Sequence, residues 1–173
     1  MIIRVSIIAL LLIILNSCRS APEQKNDKSV PGKKEMAELN RYLIQKDRER
    51  IENYIERRDL RMTESPSGLW YQIIKEGNGK LLTDNDKIIM EYNCSLLDGT
   101  ICYSSDESGP EELIVGRSEM PAGLNQGFRL LKQGGEAVFV IPPYLAYGLK
   151  GDGNRIPARS VIVYEIRLLN GND

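Results

Sequence analysis

Residues 88–100 read Ile88-Ile89-Met90-Glu91-Tyr92-Asn93-Cys94-Ser95-Leu96-Leu97-Asp98-Gly99-Thr100, and this stretch decides the fold. Ile88, Met90, Tyr92, Cys94 and Leu96 occupy one face, while Ile89, Glu91, Asn93 and Ser95 occupy the other. A period of two marks a half-buried strand. Leu97-Asp98-Gly99-Thr100 then signals a hairpin, because Asp-Gly tolerates the positive φ angles of a tight primed turn. A long strand running into a hairpin starts an antiparallel sheet.

Upstream, Leu69, Tyr71 and Ile73 alternate before a turn at Gly77-Asn78-Gly79. Downstream, Leu113–Val115 is a short strand ending at Gly116. Ala137–Ile141 and Val161–Leu168 are two more apolar strands, separated by a Gly/Pro-rich excursion. Met120, Leu124, Phe128 and Leu131 fall at helical spacing, with Pro121 suited to a first turn and Gly134 to a stop. The expectation is an α+β domain over 69–173. A curled antiparallel five-stranded sheet packs on one short helix, preceded by a charged N-terminal helix.

That charged helix is expected over 33–62, a stretch without Gly or Pro. Met36, Leu39, Leu43, Ile44, Ile51 and Ile55 recur at helical spacing, and Asp47 and Arg48 interrupt the stripe, so two short helices are an alternative. Three roles remain open: a solvated helix with one edge on the main domain, a homodimer interface through residues 33–62, or a basic patch from Arg57, Arg58 and Arg61. Glu56 and Asp59 offset the last. Residues 18–32 are polar and Pro-containing, a flexible tether.

The first 17 residues look like an address. Arg4 precedes an 11-residue apolar run, Val5 to Leu15, broken only by Ser6. A spanning helix needs roughly 20 such residues, so a secretory signal fits better. Leu15-Asn16-Ser17-Cys18 resembles the bacterial lipobox, with Asn16 its less usual member. The resemblance implies cleavage before Cys18 and a lipid on its sulfur. An ordinary cleaved signal is the alternative. The implied location is the cell envelope, anchored to a bacterial membrane. Arg19 favours the outer membrane by analogy with well-known lipoproteins, and the periplasmic face is the expected side, although no residue fixes it.

Composition removes several chemistries. Among 173 residues there is no histidine, the net charge is −1 and there are three cysteines. Nucleic acid is not an expected partner, because phosphate neutralisation needs concentrated Lys and Arg. No cofactor and no metal site is expected, and neither is a Ser-His or Cys-His pair.

Three segments in order resemble the FKBP-type peptidyl-prolyl cis-trans isomerase family. They are Tyr92 with Leu97-Asp98-Gly99, then Ile141-Pro142-Pro143-Tyr144-Leu145-Ala146-Tyr147-Gly148, then Ile156-Pro157 leading into Val161–Leu169. The middle segment is the most specific. The charged helix and Ser67-Gly68-Leu69-Trp70-Tyr71 are similar to lipoprotein members from gliding bacteria. The resemblance implies rotation of Xaa-Pro bonds in proline-containing polypeptide clients. It also implies a cleft lined by Tyr92, Met120, Leu124, Tyr147, Ile156 and Tyr164, with Tyr147 as phenol donor. From the residues alone, Tyr92 and Tyr164 read equally well as core tyrosines.

The chain departs from the family pattern at three places. Cys102-Tyr103 stands where Phe-Asp usually precedes Ser-Ser, Leu124 replaces the best-known members' Trp floor, and Pro121 has no N–H to offer a ligand. A catalytically weak or inactive peptide-binding chaperone or envelope-complex subunit is therefore the alternative function. Cys94 and Cys102 flank the hairpin. A simple register puts 94 opposite 103 on one face and 102 on the other, so two free buried thiols are expected unless a β-bulge changes the parity.

Overall fold

The computed structural model describes residues 32–169. The Cys18 lipidation site, the signal segment and nearly all of the tether lie outside the described residues. Helix α1 spans Lys33–Arg57 as one continuous element. It stops short of residue 62 because Asp59 takes a left-handed φ of 51°. Leu60 N–H then reaches Ile55 O and Asp59 N–H reaches Glu56 O, the paired bonds that close a helix C-terminus. No glycine advertises this stop. Among the described residues, no helix is long and apolar enough to cross a membrane.

The strands are β1 Thr63–Glu64, β2 Trp70–Lys75, β3 Asn78–Leu81, β4 Lys87–Leu96, β5 Ile101–Ser104, β6 Glu111–Ile114, β7 Lys132–Gln133, β8 Glu136–Ile141 and β9 Ile162–Leu168. Short helices α2 (Ser105–Ser108) and α3 (Ala122–Phe128) interrupt them. The sheet runs β1-β2-β8-β9-β4-β5, with β6 also on β4, and every pairing is antiparallel. All five expected strands are present as β2, β4, β6, β8 and β9. Short β1 and β5 extend the sheet. Of the expected Gly77-Asn78-Gly79 turn only Gly77 lies in the connection, while Asn78 and Gly79 already belong to β3, which pairs with β7 in a separate ribbon because Asn78 is registered with Gln133.

One edge of β4 holds two partners in succession. Lys87–Met90 pair with β6, and Asn93–Ser95 pair with β5. At the gap, Tyr92 N–H donates to Ser105 Oγ at 3.0 Å, so α2 leaves the ladder without orphaning that buried donor. The register is Cys94↔Tyr103, then Ser95↔Ile101, which leaves Cys102 as the bulged residue. The bulge overturns the simple parity: Cys94 and Cys102 are both interior, and both are free thiols.

The sheet curls around α3, which sits very close to it. A Cβ on Gly127 would lie 2.7 Å from the Phe139 ring, and one on Gly123 would lie 2.5 Å from Ile141 Cγ2. Only glycine permits that approach. The core around it includes Met90, Leu124, Phe128, Leu131, Phe139 and Leu168. Each such side chain contributes about 1.5–3 kcal/mol on burial.

On the opposite face of the sheet, Ile51 and Tyr54 of α1 pack against Val140, Val161 and Val163. Asp47, expected to interrupt the apolar stripe, is instead buried on that same helix face. Its partner, Arg159, comes from a loop more than a hundred residues away, so no local pattern could reveal it.

Candidate functional site

Strand pairing places the site's aromatic residues. Tyr92 on β4 and Tyr164 on β9 share a face, since Cys94 is registered with Tyr164 and Tyr92 with Ile166. Their ring centroids lie 5.8 Å apart at 32°. Leu124 comes from α3, Cys102 and Tyr103 from β5, and Tyr147 and Ile156 from the 142–161 excursion. The fold brings all of these into one apolar cluster. Leu124, Cys102, Ile156 and Tyr164 are buried, with half-buried Tyr92, Tyr103, Met120 and Tyr147 packed against them. That cluster is the main core of the domain, which also takes in Leu69, Leu82 and Leu113. Beside it opens a hollow of about 310 Å³, lined by Tyr92, Tyr103, Ser104, Glu107, Ser108, Asn154 and Arg155. Of the expected cleft residues, Tyr92 and Tyr103 are the ones that line this hollow.

Tyr147 follows a 3-10 turn, Pro143–Leu145, and precedes Gly148, whose φ of 61° turns the chain. Gly148 N–H donates to Pro143 O at 2.8 Å, closing that corner. Burial pushes the Tyr147 phenol up, and the neighbouring Tyr164 phenol pulls the other way. It stays a neutral donor across the physiological range. Burial raises the Tyr164 and Tyr92 phenols as well, and lifts the Cys94 thiol to about 12. The deep part of the site is therefore dry and uncharged.

The rim is polar, and part of it was not foreseen. Tyr103 donates its hydroxyl to Asp152 Oδ2. Asp152 Oδ1 accepts from Asn154 N–H at 2.9 Å and Ile156 N–H at 2.8 Å. Burial opposes ionisation of Asp152, but these donors outweigh it and hold its carboxyl below the ordinary range. Arg155 lies over the Tyr103 ring, 5.6 Å from its centroid. The same guanidinium donates to Cys102 O and Glu107 Oε2, both at 2.9 Å.

An aromatic ring and a carboxylate thus do stand at this edge, although Cys102-Tyr103 supplies neither at the usual place. Tyr103 brings the ring, and Asp152 arrives from the loop across the cleft. Asp152-Gly153-Asn154 has the composition of a turn, within the stretch read only as a Gly/Pro-rich excursion, but nothing local names Tyr103 as its partner. Pro121 is buried at the start of α3, and its carbonyl accepts from Asn125 N–H at 3.0 Å.

The site thus combines buried, neutral phenols in the core with a hollow whose lining is mostly polar, Ser104, Glu107, Ser108, Asn154 and Arg155 beside Tyr92 and Tyr103. No group of residues that could hold a metal ion is found among the described residues. A family model described as FKBP-type peptidyl-prolyl cis-trans isomerase matches residues 79–169. The chain belongs to that family.

It is 40% identical over 103 residues to the probable FKBP-type peptidyl-prolyl cis-trans isomerase FkpA of Neisseria meningitidis, covering 60% of this chain and 38% of that one. To the peptidyl-prolyl cis-trans isomerase Mip of Chlamydia trachomatis it is 32% identical over 108 residues, covering 62% and 43%. The crystal structure of AtFKBP13 superposes with a TM-score of 0.59 at 30% identity, covering 64% of this chain and 98% of that one. The chain thus spans about two fifths of the length of these two curated relatives.

Proposed function

We propose that the chain is a peptidyl-prolyl cis-trans isomerase acting on Xaa-Pro bonds of exported polypeptides. The observation that supports this reading is that Tyr92, Met120, Leu124, Tyr147, Ile156 and Tyr164 share one apolar cluster, with Tyr92 also lining the hollow at its edge. Rotation about the amide is opposed by ~18–20 kcal/mol of resonance. A twisted amide loses that resonance and much of its polarity, so a dry pocket holds it better than the planar forms. Each ~1.4 kcal/mol of that preference is a tenfold gain in rate. No proton or covalent transfer is required, which agrees with a chain lacking histidine.

In this reading Tyr147 donates to the substrate carbonyl, Leu124 forms the floor, and Tyr92 and Tyr164 form the wall. Cys102 leaves room where the family usually places an aromatic ring, and Tyr103 with Asp152 borders the opening. Titrating isotope-labelled protein with an apolar Xaa-Pro peptide tests this placement. Shifts should concentrate at Tyr92, Met120, Tyr147 and Ile156; shifts elsewhere alone would contradict it.

The lipobox at Cys18 supports attachment to a membrane of the cell envelope by a lipid, with residues 18–32 as the tether. Labelling of cells with a tagged fatty acid should mark the wild type and not Cys18→Ala. The exposed Leu39, Tyr42 and Ile44 on α1 support a homodimer through that helix. Sedimentation of the mature chain decides it: a monomer at high concentration removes the dimer.

A further inference from the structure

Helix α1 is linked to the loop that carries Tyr147. Asp47 has a side chain only 5% exposed, on a helix otherwise rich in solvated charges. Its Oδ2 accepts from Arg159 Nη2 at 2.8 Å. Arg50 adds a longer contact of 3.6 Å from the exposed side. A buried carboxylate is costly unless it is paired and hydrogen-bonded, so the Arg159 contact is what allows Asp47 to be there.

Arg159 is itself unusual. Its backbone takes a φ of 57°, a left-handed conformation that a long side chain rarely adopts. Such a residue persists only where its surroundings over-determine it. Two restraints do so: the guanidinium is held by Asp47, and the backbone N–H of Arg159 donates to Gly148 O at 2.9 Å. Gly148 is thereby fixed on both sides, by Arg159 at its carbonyl and by Pro143 at its N–H. Tyr147 is the residue just before it.

We propose that Asp47 and Arg159 are positioning residues: through them α1 braces the corner at Gly148 and holds Tyr147 at the angle the site needs. The helix is then part of the working isomerase and not only a spacer. This inference rests on the isomerase reading above.

Full-length variants test it. Asp47→Asn keeps the shape and removes the charge. Arg159→Lys keeps the cation and loses the planar fork. Glu49→Gln breaks an exposed pair with Lys46 on the same helix and serves as the control. Four quantities are read: kcat and KM separately by exchange NMR on a Xaa-Pro peptide, amide hydrogen exchange at Gly148 and Arg159, whose N–H groups donate to Pro143 O and Gly148 O, and exchange at Ile166 in the sheet. A misplaced catalytic group about 1 Å off costs up to about a hundredfold. Asp47→Asn should therefore lower kcat about tenfold or more, leave KM within about twofold, and speed exchange at 148 and 159 but not at 166. Arg159→Lys should show a smaller fall of the same kind, and Glu49→Gln none.

Wild-type kcat and loop protection in Asp47→Asn would overturn the brace, as would faster exchange at 166 to the same degree as at 148. If Asp47→Asn does not fold, Arg159→Lys carries the same test, and a wild-type kcat there overturns the proposal. An inactive unmutated chain sinks the isomerase reading and the brace together, and only that arm reports it.

Discussion

Tyr147→Phe removes one hydroxyl and keeps the ring that packs on the core cluster. The Tyr147 hydroxyl has the Tyr164 phenol as its neighbour, so the folded state loses at most one neutral hydrogen bond with it, ~0.5–1.5 kcal/mol. What disappears is one neutral hydrogen bond to the substrate carbonyl, ~0.5–1.5 kcal/mol. At about 1.4 kcal/mol per decade, kcat/KM should fall about two- to tenfold. Exchange spectroscopy on an apolar Xaa-Pro peptide measures the rate, with a melting curve recorded alongside. Unchanged kcat/KM in a folded variant would refute the donor role. A loss of activity that tracks a large drop in Tm would make Tyr147 a core residue and not a contact.

Gly127→Ala should destabilise by about 1–3 kcal/mol, because the added Cβ meets the Phe139 ring at 2.7 Å; an unchanged Tm would contradict the tight seating of α3. Leu124→Ala should cost about 2–5 kcal/mol and weaken peptide binding, read by chemical denaturation and titration. Alkaline pH gives a signed prediction. The Tyr147, Tyr164 and Cys94 groups have folded pKa values raised above their ordinary 10.0 and 9.0, Cys94 to about 12. Their contribution is complete below pH 9 and is lost as pH climbs, since the unfolded chain ionises first. Denaturation midpoints should therefore fall from about pH 9 to 11, and a flat profile would contradict the dry interior. Asp152 has the opposite sign: its depressed carboxyl pKa gives stability above 3.8 that is lost as pH falls through the lower folded value. Asp152→Asn should flatten that acid limb.

Much of this molecule was legible in its sequence. Alternation over 88–96, the Asp98-Gly99 turn and the spacing of Leu124, Phe128 and Leu131 define a sheet closing on a helix, because period and turn chemistry are local. The apolar members of the site were legible for the same reason, helped by the Ile141–Gly148 motif. What escaped depends on distant pairings. The bulge at Cys102 exists because Cys94 keeps its partner while Ser95 slips to Ile101. Asp152 becomes part of the site only through Tyr103, and Asp47 becomes a buried anchor only through Arg159. In neither case is the partner marked in the residue's own neighbourhood. The end of α1 was misplaced because an aspartate, not a glycine, adopts the left-handed turn.

The most direct test is the isomerisation rate of an apolar Xaa-Pro peptide with the unmodified mature chain added. Catalysis predicts exchange between cis and trans that quickens in proportion to protein concentration, and that a competing proline peptide suppresses. Binding of the peptide with exchange unchanged from the spontaneous rate would contradict the account.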